Sequence, residues 1–172
     1  LSAASEFLKA PVDMSVVNMG SLRAPIPQGD VTVRNIFELM PFENELVVLW
    51  LKGSDIIRLF NIFVQFGGQG IGGASFEIDH QEAVNCKIQG KAIDANKLYS
   101  IATNDFLAGG NDSMTPLANP EKRVDTGMKI RNILIEHVIR TNRKGEKIGS
   151  KLDNRIKFIG KINDDELRQY FY

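Results

Sequence analysis

The chain has 172 residues, of which 43% are hydrophobic, and a chain of this length can bury the core of one ordinary domain. Its 21 basic side chains are balanced by 21 acidic ones, which argues against a protein that coats nucleic acid or binds an anionic membrane surface. No run of about 18 consecutive apolar residues occurs, so no membrane span is predicted.

The chain starts without a leader pattern, and its low cysteine content is compatible with either the cytoplasm or the periplasm. Leu1 is the first residue. Since no secretory leader pattern precedes the first predicted strand, we expect the chain to begin within a longer protein or to have been trimmed. Cys86 is the single cysteine, so no disulfide framework or thiolate metal cluster is predicted. Its strand-like surroundings predict a small buried hydrophobic residue.

The first half of the chain predicts strands, a loop and a short helix. Residues 13–18 are an apolar run suited to a buried strand, and residues 20–30 are rich in proline and glycine, which predicts an irregular loop. Thr32 can cap a helix over 33–39. Residues 45–51, ELVVLWL, are continuously apolar, which is typical of a strand covered on both faces.

A longer amphipathic helix is predicted next. It begins at Gly53 and Ser54 and is closed by Gly67 and Gly68. Its apolar side chains fall on one helical face, and they are Ile56, Leu59, Phe60 and Phe63. We expect this face to pack on a sheet.

The second half predicts further strands and a second helix. The strands are expected over 74–79, 85–89, 98–104 and 155–159, and the helix over about Thr126–Thr141. Strands and helices do not alternate strictly, which predicts an α+β fold with α/β-type layers, in which helices pack on a mixed β-sheet. Because no repeat or long linker interrupts the chain, we expect a single domain over its whole length, residues 1–172.

The catalytic patterns that a complete enzyme would need are missing. His80 and His137 are the two histidines, too few for the ligand cluster of a dinuclear metallohydrolase. The glycine-rich stretch 67–73 lacks the lysine of a phosphate-binding loop. We therefore predict no catalytic residue and no metal site on this chain, although the Asn and Asp side chains over 104–112 leave open an oxygen-ligand site for a hard cation such as calcium.

Three loop segments carry chemistry suited to a ligand: NMGSLR (18–23), PFEN (41–44) and NDFLAGGND (104–112). If they converge, Phe42 and Phe106 provide two aromatic faces that could clamp a flat heterocycle across roughly 7 Å, each stack contributing roughly 1–3 kcal/mol. A nearby carboxylate can accept from ribose hydroxyls, and an arginine can bind a phosphate. The alternatives are that both rings lie in the core and that the arginine makes an ordinary surface contact.

Residues 18–56, NMGSLRAPIPQGDVTVRNIFELMPFENELVVLWLKGSDI, followed by LYSIATNDFLAGGNDSM (98–114), resemble the C-terminal domain of the 5'-nucleotidases. That family includes bacterial periplasmic UDP-sugar hydrolases and animal ecto-5'-nucleotidases. Its pattern runs N-x-G-G-I-R, G-x-[IV]-T, P-F-x-N-x-L, L-x-G and N-[DN]-F-L-A-x-G-G-D. Residues 125–138 and the pair Arg155–Ile156 also fit, so the resemblance covers nearly the whole chain.

The resemblance implies six substrate-contacting positions, which are Asn18, Arg23, Phe42, Asn44, Phe106 and Asp112. The two phenylalanines would sandwich the base. Asn18 and Arg23 would face the base and sugar-phosphate, Asn44 would lie beside the base, and Asp112 would bind ribose hydroxyls.

The resemblance also implies that substrate binding and hydrolysis are carried out by different domains. In the family a phosphoesterase domain with two divalent metal ions precedes this domain and carries out hydrolysis, while the C-terminal domain binds the nucleoside and rotates to deliver it. That metallophosphatase domain is absent from these 172 residues and is expected in the same protein or on a partner chain. No cofactor is expected here, and the family suggests the periplasm or the cell surface.

The chain departs from the family pattern in three places. Ser21 replaces the second glycine of N-x-G-G, and Asn111 is inserted between Gly110 and Asp112. Residues 1–17 contain no arginine, so the family's upstream substrate-binding arginines are missing.

Three functional hypotheses follow. The first is a nucleotide-recognition domain of a 5'-nucleotidase-type phosphohydrolase. The second is a stand-alone, non-catalytic binding or scaffold module that docks on a metallophosphatase partner. The third is a degenerate domain retained only for its structure.

Overall fold

The computed structural model describes residues 1–159. Within that range five α-helices are formed, which are α1 (Ser2–Leu8), α2 (Val33–Leu39), α3 (Gly53–Val64), α4 (Asp105–Ala108) and α5 (Ile130–Arg143). Nine strands accompany them, which are β1 (Met14–Val17), β2 (Glu45–Lys52), β3 (Gly70–Gly72), β4 (Ala74–Asp79), β5 (Glu82–Ile88), β6 (Lys91–Ala92), β7 (Leu98–Asn104), β8 (Lys122–Lys129) and β9 (Ile156–Ile159).

The strands form two mixed sheets. The larger has the order β3-β1-β7-β2-β8, in which β1 runs parallel to β7 and the other neighbours are antiparallel. The smaller has the order β6-β5-β4-β9, in which β4 and β9 are parallel. The predicted α+β class with helices on mixed sheets is confirmed, and its strands are divided between two sheets.

The chain passes from the larger sheet to the smaller one at Gly73, between β3 and β4. Its φ of +72° lies in the left-handed region, where residues with a side chain are strained. A Cβ atom at this position would also lie 2.5 Å from the carbonyl oxygen of Asp13. Glycine at this point therefore allows the sharp change of direction that separates the two sheets.

The main hydrophobic core contains the apolar face of α3 and side chains from both sheets. Phe60 stacks on Phe76 with ring centroids 5.1 Å apart, and Phe63 lies 5.6 Å from Phe60. Strand β2 is covered on both faces, as predicted, because alternate residues belong to different clusters: Val47 to the main core and Val48 to a second cluster that includes α1. Both faces of β2 are therefore packed against apolar side chains.

The second predicted helix begins later than expected. Residues Lys122–Lys129 form strand β8 beside β2, so α5 starts at Ile130 and not near Thr126. Strand β8 lies at the edge of the sheet and is mostly polar, so it lacks the apolar alternation that would reveal a strand. The apolar stripe that begins at Ile130 remains as the inner face of the helix.

Thr32 caps α2 as predicted. Its hydroxyl accepts a hydrogen bond from the Asn35 amide at 3.2 Å, and the Asn35 side chain accepts from the Thr32 amide at 2.9 Å. We expect Thr32→Ala to lower the free energy of unfolding by about 1 kcal/mol, because the Asn35 amide loses its side-chain acceptor at the helix start. Urea denaturation measures the change, and an unaltered midpoint would contradict the role of the cap.

Candidate functional site

Two buried asparagines connect the ends of strands β1 and β7. Asn18 directly follows β1, and Asn104 is the last residue of β7. Because the two strands are parallel neighbours, their carboxyl ends lie at the same edge of the sheet. The Asn104 side-chain amide donates to the Asn18 amide oxygen at 3.2 Å. The structure therefore places the first and third predicted loops side by side.

Asp112 lies against the same pair. The Asn18 side-chain amide donates to a carboxylate oxygen of Asp112 at 2.7 Å. Asn111 turns back, and its side chain donates to the carbonyl oxygen of Phe106 at 2.7 Å. Gly110, at φ +81°, and Asp112 itself, at φ +53°, complete the turn. In this turn Asp112 is joined directly to Asn18.

Asp105 ties the loop that carries Phe42 to the helix that carries Phe106. One carboxylate oxygen accepts from the Asn44 side-chain amide at 3.0 Å, from the Glu45 backbone amide at 3.1 Å and from the Phe106 backbone amide at 3.0 Å. The Asn104 side chain caps the same short helix by accepting from the Leu107 amide at 2.7 Å. One carboxylate therefore sets the position of both aromatic segments.

Both candidate aromatic rings lie at the surface. Phe42 is 45% exposed and Phe106 is 42% exposed, so the alternative that they belong to the core is wrong. Within residues 1–159 neither ring stacks on another aromatic ring. Both rings therefore lie exposed on two segments that one carboxylate joins.

Arg23 lies next to Phe42. Its guanidinium carbon is 5.8 Å from the centroid of the Phe42 ring, and one guanidinium nitrogen donates to the Gly20 carbonyl at 3.2 Å. Its backbone amide donates to the Leu39 carbonyl at 2.8 Å. The side chain is exposed, so this arginine combines an ordinary loop contact with a position beside a candidate aromatic.

Sequence reasoning missed three residues that hold these loops. Asp105 belongs to a segment that the sequence pattern selected, but its role as a tie between loops was not predicted. Gln69 accepts from the Met19 backbone amide at 3.0 Å and so supports the turn after Asn18. Arg131, the second residue of α5, donates to the loop that carries Phe42. A single arginine in an amphipathic helix gives no sequence signal for such a role.

Glu43, in the loop that carries Phe42, has a pKa below its ordinary value. A hydrogen bond from Arg131, together with its charge, lowers the pKa of Glu43, and the charge of Lys129 lowers it further. Elsewhere, burial raises the pKa of the Cys86 thiol to about 11, so this thiol stays protonated and unreactive at neutral pH. Cys86 packs against the main core but is only half-buried, so it is less buried than the sequence predicts.

Over the described range 1–159, no group of three or more His, Cys, Asp or Glu side chains is placed to hold a metal ion. The side chains of Asn104, Asp105 and Asn111 each make hydrogen bonds that build the loop itself. This accounts for their presence as turn-forming residues.

None of the helices in the described part of the chain combines the length and the apolar character needed to cross a bilayer.

Comparison with known proteins gives consistent matches. The family described as "5'-nucleotidase, C-terminal domain" matches residues 1–119. Protein UshA of Yersinia enterocolitica is 30% identical over 148 residues, which cover 80% of this chain and 26% of that protein. An apyrase of Tabanus yao is 27% identical over 149 residues, covering 74% of this chain and 27% of that protein. The chain therefore spans about a quarter of the length of these relatives.

A solved structure shows the same fold. The 5'-nucleotidase precursor from Thermus thermophilus superimposes with a TM-score of 0.82 at 24% identity, over 93% of this chain and 34% of that one. The NAD nucleotidase of Haemophilus influenzae superimposes with a TM-score of 0.73 at 23% identity, over 86% of this chain and 30% of that one.

Proposed function

Since the chain belongs to the family of 5'-nucleotidase C-terminal domains, we propose that it recognises the nucleoside part of a nucleotide for a phosphohydrolase of nucleotide catabolism. The phosphate ester would be hydrolysed by a separate domain with two divalent metal ions, in the same protein or on a partner chain. The proposed location is the periplasm or the cell surface. The observation that carries the proposal is the pair of exposed phenyl rings on loops joined through Asp105.

The two rings provide the binding energy in this proposal. Phe42 and Phe106 keep large apolar faces in water, and a base inserted between them would remove both faces from solvent. Stacking of a base on one aromatic side chain contributes roughly 1–3 kcal/mol and depends little on which base is bound. The clamp alone therefore supports recognition of nucleobases as a class.

The polar residues would orient the rest of the ligand. Asp112 presents a carboxylate at the surface, held by Asn18 at 2.7 Å, and a carboxylate can accept from both hydroxyls of a ribose. Asn44 lies next to the Phe106 helix through Asp105 and would face the edge of the base. Arg23, beside Phe42, carries the positive charge that would attract the phosphate.

In the proposed mechanism this chain binds the nucleotide, and a separate domain cleaves the phosphate ester bond. The residues of this chain would hold the nucleoside and orient its phosphate towards the other domain. The metal ions of that domain would activate a water molecule and stabilise the charge that develops on the phosphoryl group. No side chain of this chain is assigned to the proton transfers of the reaction.

Titration of the 172-residue chain with adenosine and with AMP tests the clamp. We expect Phe42→Ala and Phe106→Ala each to weaken binding by roughly 5- to 150-fold, the equivalent of a loss of roughly 1–3 kcal/mol of stacking. Isothermal calorimetry gives the dissociation constant, and NMR shows whether resonances of the two loops shift.

Phe7→Ala is the matched control, because Phe7 is 43% exposed but lies on α1, outside the three loops. Equal losses for Phe7→Ala and Phe106→Ala would contradict the clamp. Absence of any shift at millimolar nucleoside or nucleotide would reject nucleotide recognition and favour the scaffold hypothesis.

A further inference from the structure

The side chain of Arg131 donates hydrogen bonds to three consecutive residues of the loop that carries Phe42. One guanidinium nitrogen lies 3.3 Å from the Pro41 carbonyl oxygen and 3.4 Å from the Phe42 carbonyl oxygen, and donates towards both. The other terminal nitrogen donates to the Glu43 carboxylate. The planar fork of arginine suits this arrangement, because two nitrogens in one plane can bind separate acceptors of one loop.

This arginine is poorly explained by stability alone. It is only 7% exposed, and burial of a guanidinium carries a desolvation cost that ion pairing often fails to recover. It also lies in the first turn of α5, where the helix dipole disfavours a positive charge. Within the described residues its Nε is buried without a hydrogen-bond partner. These costs point to a role beyond packing.

The contacts around the guanidinium limit its freedom. Its carbon lies 4.0 Å from the centroid of the Phe37 ring on α2, which covers one face of the group. Because of this packing, the orientation of Arg131 is set by α2 and α5 together. The position of the loop that Arg131 binds is therefore set relative to both α2 and α5.

We infer that Arg131 is a positioning residue that fixes the backbone of residues 41–43, and so the Phe42 ring, for stacking on a ligand. The inference rests on the proposed function. The Phe42 ring is exposed and lies beside the exposed side chain of Arg23, so the orientation of the ring depends on its backbone. A backbone fixed before binding reduces the entropy lost when the ligand is clamped.

The same loop has further attachments on its other side. The Lys129 ammonium donates to the Glu43 carbonyl oxygen at 2.9 Å, and the Ile130 amide donates to the Asn44 carbonyl oxygen at 3.0 Å. These bonds hold the backbone after Phe42, whereas Arg131 binds the backbone carbonyls of Pro41 and Phe42 in addition to the Glu43 side chain. Loss of Arg131 would therefore release the aromatic end of the loop while the other end stays attached.

A double-mutant cycle tests this inference, with AMP as the probe and the 172-residue chain as the protein. Arg131→Gln is expected to weaken binding by about 10-fold in the wild-type background and by less than about 2-fold in the Phe42→Ala background, because the arginine acts through that ring. Arg131→Lys keeps the charge but not the fork, and we expect it to restore only part of the affinity.

Two further variants separate positioning from folding. Arg140→Gln on the same helix removes exposed ion pairs with Glu6 and Glu136 and should leave the affinity unchanged. Glu43→Gln weakens the Arg131 contact from its exposed end, since the Glu43 side chain is 64% exposed, and should reproduce part of the loss without a folding defect. Additive effects in the cycle, or equal effects of Arg131→Gln and Arg140→Gln, would overturn the inference.

Backbone ¹⁵N relaxation of the ligand-free chain measures the mobility of the loop and does not depend on nucleotide binding. Arg131→Gln should lower the order parameters of residues 42 and 43 but not those of 105–108, and Arg140→Gln should change neither. If the wild-type chain binds no nucleotide, the proposed function fails, and lower order parameters at residues 42 and 43 would still support the contact of Arg131 with the loop. Unchanged order parameters in Arg131→Gln would show that Arg131 does not fix the loop.

Discussion

Replacement of Gly53 by alanine is expected to lower the free energy of unfolding by about 3 kcal/mol. This value lies at the upper end of the losses found when extra atoms are forced into a well-packed region. A Cβ atom at this position would lie 2.0 Å from the Asp94 carbonyl oxygen and 2.9 Å from the Ile93 side chain. The turn over 94–97 cannot move away easily, because the Gly53 amide donates to the Lys97 carbonyl at 2.9 Å and the Ser54 amide to the Ala95 carbonyl at 3.0 Å. Denaturant unfolding followed by circular dichroism measures the loss.

Gly149→Ala is the matched control for this prediction. No atom lies within 4 Å of a Cβ placed there, and its φ is outside the left-handed range. Its stability should change by less than about 0.5 kcal/mol, as at surface positions in general. A loss of unfolding free energy below about 1 kcal/mol for Gly53→Ala would show that the turn over 94–97 moves to make room for the added methyl group. The prediction would then be wrong.

Replacement of Asp105 by alanine is expected to remove both stability and ligand binding. Its carboxylate oxygen accepts three hydrogen bonds, from Asn44, Glu45 and Phe106. The free energy of unfolding should fall by about 2–3 kcal/mol, because hydrogen bonds to a charged acceptor are strong and one donor, the Glu45 amide, is left without it beside the sheet. Affinity for AMP should fall by at least about 10-fold, because the two rings lose their common anchor.

Asp105→Asn and Asp125→Ala separate the contributions. Asparagine keeps an acceptor oxygen without the charge and should recover part of both losses. Asp125 pairs with Arg123 on the exposed face of β8, and such surface pairs contribute about 0–1 kcal/mol. Calorimetry and chemical denaturation of all three variants test the prediction. Normal AMP binding by a folded Asp105→Ala protein would show that the rings are placed independently of this carboxylate.

Elements with a strong apolar pattern could be predicted from the sequence. The stripe from Ile56 to Phe63 defined α3 within a few residues, and the unbroken apolar run of β2 correctly indicated burial on both faces. Strand β8 could not be predicted, because it is a polar edge strand whose pairing with β2 depends on the rest of the sheet. Helix α1, which packs on β2, was missed as well.

Candidate site residues could be predicted where aromatic or polar side chains stand in loops. They could not be predicted where they lie within helices. The exposure of Phe42 and Phe106 shows only that the two rings are not part of the core. Asp105 and Arg131 were not predicted as anchors, because their partners lie 61 and 88 residues away in the chain. Local sequence patterns carry no information about which distant backbone groups a carboxylate or guanidinium will meet. The binding roles of all six candidate residues remain predictions for the titrations above.

The hydrogen bond between Asn18 and Asn104 joins residues 86 positions apart in the chain. Contacts of such long range are closed late, because the entropy of a large loop must be lost before they form. A chain that has folded only its local helices and hairpins would therefore lack the proposed site altogether. Nucleotide binding, if the titrations establish it, would report completed folding in a refolding experiment. By mass action, it would also protect the whole domain against unfolding in proportion to the logarithm of ligand concentration.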